Sequence, residues 1–248
     1  MTETSIAPRP GIRFATDRRG GPVEWQLEGP DPHMILTGGT GMGTSSTARV
    51  IASSAALLGI DVRFCDAKPA AASELQGMPG ITAAAGLPET AGLIGRTWAD
   101  MCQRGVRAEA GAVSAGSLRR IVLIIDHFMI LDLDLNDVCR GERPSPVMRQ
   151  LGQLLFMSQA AAINVLLTGM ACHVALVLGD QALEKCGTRV ALGQVGREAA
   201  MLLFGDDSAC GESRGRTQGA GLVLTPAGGP EPAAMLYPPP VRPSFPAA

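Results

Sequence analysis

A glycine-rich stretch, GGTGMGTSS (Gly38 to Ser46), is the first part of the sequence whose residue types and spacing could do chemistry. A phosphate-binding loop has a glycine, any four residues, a glycine, a lysine and then a serine or threonine. Gly38, Gly43 and Ser45 occupy the expected places, but Thr44 stands where the lysine belongs. The spacing therefore predicts a phosphate site that lacks its positively charged anchor.

The chemistry of such a loop comes mainly from its backbone. Glycines let the chain curl so that several N–H groups point inward, and the helix that follows adds the positive end of its dipole. We expect bound nucleotide to contact the whole stretch, which comprises Gly38, Gly39, Thr40, Gly41, Met42, Gly43, Thr44, Ser45 and Ser46. Loss of the lysine contact weakens binding by about 1.5–3 kcal/mol, roughly ten- to hundredfold. A glycine turn that binds nothing is the alternative that the motif alone leaves open.

The second candidate is an acid that ends the apolar run IVLII (Ile121 to Ile125). A carboxylate at the end of a buried strand is where a nucleotide-associated Mg²⁺ is held. We therefore predict Asp126 and the Ser45 hydroxyl as Mg²⁺ ligands, with a plain turn-initiating aspartate as the alternative. His127 follows directly and could act as a base, although a surface or hydrogen-bonding histidine is the simpler interpretation. The sequence assigns no catalytic residue.

The elements that must position these residues alternate along the chain. The predicted strands are 22–27, 34–37, 61–65, 121–125, 163–168 and 188–192, with edge strands at 220–224 and 233–237. The predicted helices are 44–58, 88–102, 146–161 and 195–204, and surface loops are predicted at 104–119 and 131–137. This alternation predicts an α/β fold with a central, mostly parallel sheet and helices on both faces, which binds ligands at the carboxyl ends of its strands.

Composition excludes several classes of protein. Of the 248 residues, 46% are hydrophobic and 18% are charged, which is typical of a globular chain, and the net charge of −2 gives no support for a duplex-DNA binder. The six cysteines form no closely spaced pair, so we expect reduced thiols in a cytoplasmic protein rather than a zinc site. No apolar run is long enough to predict a membrane segment. We expect a flexible arm at 1–19, one domain at 20–237 and a proline-rich tail at 238–248.

Several segments together resemble the FtsK/SpoIIIE family of RecA-like motor ATPases. The resemblance is carried by Pro32-His33 before MILTGGTGMGTSS, by DVRFCDAKPAAASELQGMPGI, by IVLIIDHF, by AAAINVLLTG, and by TRVALGQVGREAAMLLFGDDSA with GRTQGAGLVL. In order, these segments extend over residues 20–236. The resemblance implies a RecA-like P-loop fold, ATP and Mg²⁺ as cofactors, and assembly as a homo-oligomer or within a larger ring, a hexamer in the family.

The sequence departs from the family at positions that act on the γ-phosphate. Thr44 replaces the loop lysine, and His127 replaces the catalytic glutamate. Gly169 stands where the family usually has a glutamine that senses the γ-phosphate, and Gln159 stands near an arginine that reaches the neighbouring subunit. Lys68 is a candidate substitute for the missing lysine, but the family has a lysine there as well. These combined losses predict weak or absent nucleotide binding and doubtful hydrolysis in a preserved fold.

Three functions remain open from the sequence. The first is a catalytically degenerate ATPase domain that acts as a structural or regulatory subunit. The second is an active ATP-dependent DNA translocase of the plasmid-transfer or chromosome-segregation type. The third is a protein-interaction module, as in secretion-system ATPases. DNA and a protein partner both remain candidate partners.

Overall fold

The computed structural model describes residues 11–111, 117–139, 145–207, 209–210 and 217–236. Its strands are β1 (Gly11–Asp17), β2 (Pro22–Gln26), β3 (Met34–Gly38), β4 (Asp61–Asp66), β5 (Ile81–Ala85), β6 (Ile121–Asp126), β7 (Ile163–Thr168), β8 (Thr188–Leu192), β9 (Ala220–Thr225) and β10 (Gly228–Met235). Its helices are α1 (Thr44–Leu57), α2 (Pro69–Leu75), α3 (Leu87–Glu109), α4 (Phe128–Cys139), α5 (Pro146–Met157), α6 (Ala171–Leu178), α7 (Asp180–Glu184) and α8 (Arg197–Phe204), with a 3₁₀ turn at Gln159–Ala161.

All the strands belong to one ten-stranded sheet with the order β2-β1-β10-β9-β8-β3-β7-β6-β4-β5. Six neighbouring strands form the parallel part of the sheet, in the order β8, β3, β7, β6, β4 and β5. The remaining pairs, from β8 outward to β2, are antiparallel. The predicted α/β fold with a mostly parallel sheet is therefore confirmed.

The apolar sequence of the central strands explains why helices cover both faces of the sheet. Every residue of β6 and β7 is buried, as expected for strands without a polar face. Successive residues point to opposite faces. Leu123 and Ile125 therefore pack in a core with α3 to α8, and Val122 and Ile124 pack in a second core with α1, α2 and β1. Among the described helices, none is long and apolar enough to cross a membrane.

The structure corrects several boundaries. Residues 11–17, assigned to a flexible arm, form β1, with Ile12, Phe14 and Ala15 fully buried. Residues 131–137, predicted as a loop, lie in α4, because LDLDLND places Leu131 and Leu135 on one buried helical face. Helix α3 continues to residue 109 rather than ending at 102. The outer strands of the sheet are β2 and β5, not β9 and β10. Residues 1–10 and the predicted tail at 238–248 lie outside the described residues.

A buried polar network holds the amino ends of the parallel strands. The carbonyl of Pro32 accepts hydrogen bonds from Trp25 Nε1 (3.1 Å) and Asn164 Nδ2 (2.7 Å). His33 bridges two elements: its Nε2 lies 2.9 Å from the carbonyl of Leu155, and its Nδ1 accepts from the N–H of Val165 (3.0 Å). These contacts give the Pro-His pair a structural role and fix the neutral tautomer of His33 with its proton on Nε2.

We predict that His33 makes stability depend on pH. Burial lowers the pKa of His33 to about 4 from 6.5, so the unfolded chain binds the proton more tightly than the folded one. The stability that the neutral ring supplies is complete above pH 6.5 and is lost as the pH falls toward 4. It should decline by about 2 kcal/mol between pH 7.5 and pH 5. Urea unfolding of the protein and of His33→Gln at both values measures the change. Equal pH dependence in the two proteins would contradict this assignment.

Candidate functional site

The glycine-rich stretch forms a curled loop between β3 and α1, at the carboxyl edge of the parallel sheet. Gly41 (φ 79°) and Gly43 (φ 102°) have left-handed backbones, which side chains other than glycine rarely permit. The N–H of Met42 donates to the carbonyl of Gly39 (3.1 Å) and closes the turn. No side chain caps the amino end of α1, so its first-turn N–H groups are available to an anion.

Neighbouring strands hold the loop in place. A Cβ atom on Gly38 would come within 2.9 Å of Leu192 Cβ and 3.0 Å of Thr44 Cγ2, so only glycine fits there. Met42 holds the loop against β8 and β9. Its carbonyl accepts a hydrogen bond from the N–H of Gly219 (3.0 Å). Its side chain packs so closely on Gly193 that a Cβ atom there would lie 2.7 Å from Met42 Cγ. The shape of a phosphate loop is therefore built into the packing at the ends of β8 and β9.

Arg49, one turn further along α1, brings a positive charge next to the loop. Its Nη2 donates to Ser46 Oγ (3.2 Å), and its Nη1 forms an ion pair with Glu74 of α2. Glu74 already balances the charge of Arg49, so Arg49 is a poor substitute for the lysine that a phosphate loop usually carries. Its hydrogen bond to Ser46 instead orders the start of α1. Thr44 provides no charge of its own.

Two carboxylates lie side by side at the ends of neighbouring strands. Asp66 ends β4 and Asp126 ends β6, and the two residues are direct partners in the parallel register. Both are buried, with relative exposures of 0% and 1%. Two negative charges in such an environment repel each other and lose hydration, so a compensating donor or cation is required.

His127 supplies this compensation. Its Nδ1 lies 3.0 Å from Asp66 Oδ1 and 3.4 Å from Asp126 Oδ2. The hydrogen bond with Asp66 raises the pKa of His127 above its usual value; partial burial acts in the opposite direction, and the charge of Asp126 adds to the rise. The backbone of His127 is left-handed, at φ 60°. This conformation is uncommon outside glycine and turns the ring back over both acids.

Thr168, at the end of β7, completes the cluster. Its hydroxyl donates to Asp126 Oδ1 and accepts from the N–H of His127 (3.0 Å). The other carboxylate oxygen of Asp126, Oδ2, is buried without a hydrogen bond. The backbone N–H of Lys68 donates to Asp66 Oδ1 (2.9 Å). Ligand atoms from Asp66, Asp126 and His127 lie within 4.8 Å of one another, so the arrangement can hold a cation.

The remaining sequence-predicted residues are divided between the two ends of the sheet. Gly169 follows β7 at the carboxyl end, where a Cβ would meet Phe128 Cβ at 3.5 Å. Gln159 lies before β7 at the amino end, and its amide donates to the carbonyl of Gly29. Lys68 is exposed at the start of α2, where its charge acts on His127. Ser45 lies in the first turn of α1, and its role as a Mg²⁺ ligand stays a prediction.

Sequence reasoning did not identify Asp66, Thr168 and Arg49 as members of the site. One usable signal was that Asp66 and Thr168 end strands, as Asp126 does. Arg49 could have been identified from its spacing. It lies three residues after Ser46, and residues three apart share one face of a helix.

No family model matches the sequence, and no curated protein is significantly similar to it. The cytoplasmic domain of the Thermomonospora curvata type VII secretion ATPase EccC is similar in structure, with 16% identity, a TM-score of 0.71 and coverage of 96% of this chain and 30% of that one. The pCW3 conjugation coupling protein TcpA with ATPγS has 16% identity and a TM-score of 0.67, over 96% and 69% of the chains.

A third similar structure is EccC of Thermomonospora curvata (ATPases 2 and 3) in complex with a signal sequence peptide. It has 14% identity and a TM-score of 0.68, over 92% of this chain and 41% of that one. These likenesses confirm the α/β RecA-like fold that the sequence predicted. This chain spans less than a third of the first EccC structure.

We predict that Thr168→Val destabilises the protein by about 1–3 kcal/mol, because it removes one hydrogen-bond partner of a buried carboxylate oxygen and one of a backbone N–H. Thr90→Val is a matched control, since the buried Thr90 hydroxyl has no hydrogen-bond partner. Urea unfolding should show little change, or a gain, for the control. A Thr168 variant as stable as the Thr90 variant would show that the hydroxyl does not support the cluster.

Proposed function

We propose that this chain is a nucleotide-binding P-loop domain of the FtsK/SpoIIIE type in which ATP hydrolysis is impaired, and that it acts as a structural or regulatory subunit of an assembly. The observation that carries the proposal is the position of His127. The resemblance places the catalytic residue directly after the strand-terminal acid Asp126. Here that residue is His127, whose ring is bound to Asp66 and Asp126.

A residue that activates water must offer a free basic atom close to the nucleophile. Nδ1 of His127 faces two carboxylates, and the raised pKa means that the ring holds its proton more tightly than a free histidine does. Nδ1 is therefore engaged by the two acids rather than by water, and the carboxylate that the resemblance places at this position is absent. Both features support impaired hydrolysis, independently of the missing lysine.

Phosphate binding would depend on neutral groups. The curled backbone of the loop and the uncapped end of α1 provide N–H donors, and Thr44 adds one hydroxyl. Mg²⁺, when bound, would supply positive charge to the phosphates, and Ser45 and Asp126 are the residues that would hold it. Without the lysine, the loop would recognise the shape of the phosphates with little charge compensation, so we expect weak binding.

Assembly is the second part of the proposal. The resemblance implies a homo-oligomer or a subunit of a larger ring, and a domain without hydrolysis can contribute contacts to such an assembly. The active DNA translocase is less well supported, because the net charge of −2 provides no overall attraction for duplex DNA.

A protein-binding role is the second candidate, and one surface favours it. A cleft of about 410 Å³ between α4 and α6 is lined by Leu133, Met148, Leu176 and Val177 together with polar residues. Leu176 is 82% exposed and Leu133 is 51% exposed. One structural neighbour contains a bound signal peptide. A partner captured after nuclease treatment and lost with Leu176→Glu would support this role, whereas capture that nuclease abolishes would support DNA.

We predict that Thr44→Lys strengthens binding of a non-hydrolysable ATP analogue with Mg²⁺ by roughly ten- to hundredfold, because it restores a charge-assisted phosphate contact. Calorimetric titration of both proteins measures the change. The matched control is Ser53→Lys, which adds the same charge further along α1, away from the loop. Thr47→Lys would not serve, because Thr47 is buried. Absence of binding by both the protein and Thr44→Lys would contradict a nucleotide site.

We predict that hydrolysis is absent or very slow in the unaltered protein, remains low in Thr44→Lys and rises only in Thr44→Lys/His127→Glu. The second change frees the catalytic position from the two acids and returns a carboxylate to it. Phosphate release with and without duplex DNA is the measurement. Rapid, DNA-stimulated release by the unaltered protein, lost in Asp126→Ala, would overturn the proposal in favour of an active translocase.

A further inference from the structure

The cluster of Asp66, Asp126 and His127 matches Mg²⁺ poorly. Mg²⁺ prefers oxygen ligands and retains several waters, whereas here an imidazole nitrogen lies directly against both carboxylates. Mixed nitrogen and oxygen ligands suit first-row transition metals better, because imidazole binds these ions more strongly than it binds Mg²⁺.

We propose that Asp66, Asp126 and His127 form a binding site for a divalent first-row transition metal ion, with Mn²⁺ as its probe, and that the ion binds without nucleotide. The site shares Asp126 with the Mg²⁺ position of the proposed function. It goes beyond that function because its other ligands, Asp66 and His127, lie outside the phosphate loop and because the ion binds without nucleotide.

The spacing of the donor atoms fits one ion. Two ligands at right angles around a metal, each about 2.1–2.2 Å from it, are about 3.0 Å apart, and two tetrahedral ligands are about 3.5 Å apart. His127 Nδ1 lies 3.0 Å from Asp66 Oδ1 and 3.4 Å from Asp126 Oδ2. Small side-chain adjustments would let these atoms share a metal ion in place of a proton.

A second observation points to a ligand at this place. Oδ2 of Asp126 is buried, has no hydrogen bond and lies on the side of His127. A buried carboxylate oxygen without a donor is costly, and a metal ion would satisfy it. The other oxygen is held by Thr168, which leaves Oδ2 as the atom available to a cation.

The surroundings orient the donors and leave an approach for the ion. Backbone N–H groups of Lys68 and Ala72 donate to the two oxygens of Asp66, at 2.9 Å and 3.3 Å. Such outer contacts fix metal ligands before the ion arrives. The His127 side chain is 29% exposed, so solvent can reach the cluster and provide the remaining ligands as water. Binding would displace the imidazole proton, and the nearby charge of Lys68 would oppose the incoming cation.

The test uses the full chain without nucleotide, and Mn²⁺ as the probe because it avoids most competition from the free thiols. Electron paramagnetic resonance of unbound Mn²⁺ counts the ions taken up per chain, and spin-echo modulation detects a coordinating nitrogen. We expect one saturable Mn²⁺ with a nitrogen signal, not displaced by a hundredfold excess of Mg²⁺. Asp66→Asn and His127→Gln should weaken binding at least tenfold, and His127→Gln should remove the nitrogen signal.

The matched control is His173→Gln, because His173 Nε2 also lies against an acid, Asp132 Oδ2, at 3.2 Å. It should bind Mn²⁺ as the unaltered protein does, and circular dichroism should show that every variant is folded. Absence of saturable binding, or unchanged Mn²⁺ binding in folded His127→Gln, would overturn the site. Mn²⁺ binding in a protein that binds no nucleotide even as Thr44→Lys would confirm the metal site while the proposed function fails.

Discussion

The structure depends on two carboxylates that the parallel register places next to each other in the interior. Asp66 and Asp126 pair across β4 and β6 with almost no exposure to water. Their mutual repulsion and lost hydration must be offset by nearby donors or by a cation. The left-handed backbone of His127 and the hydroxyl of Thr168 both serve this need. The site is therefore organised first around charge compensation, with Nδ1 of the imidazole directed at the two acids.

The two ends of the parallel sheet satisfy their polar groups in different ways. At the amino end, His33 and Asn164 form hydrogen bonds with buried backbone groups that link neighbouring elements, while the buried Thr188 hydroxyl has no partner among the described residues. At the carboxyl end, Asp126 Oδ2 has no hydrogen bond and the first turn of α1 has no side-chain cap. An incomplete polar contact in the interior is costly to folding, which makes Asp126 Oδ2 a candidate for contact with a ligand.

The shape of the phosphate loop and its charge are physically separable. Left-handed glycines and the packing of Met42 against Gly193 and the Gly219 backbone set the shape. None of these contacts involves the side chain at position 44, so they do not depend on a lysine at that position. A fold constrains function only through its site, so the side chains around this loop determine its chemistry.

Local sequence patterns were sufficient to predict the central strands and the loop. Continuous apolar runs predicted β6 and β7 because both faces of these strands are buried, and the glycine spacing located the phosphate loop. Sequence reasoning missed β1 and α4 and did not predict β5, α2, α6 and α7. β1 is held by pairing with β2 and with the distant β10, and a local pattern does not reveal the second of these contacts. The contact between His127 and Asp66, which are 61 residues apart along the chain, is visible only in the folded protein. Strand order and register bring these side chains together, and both depend on pairing between strands that are far apart in the chain.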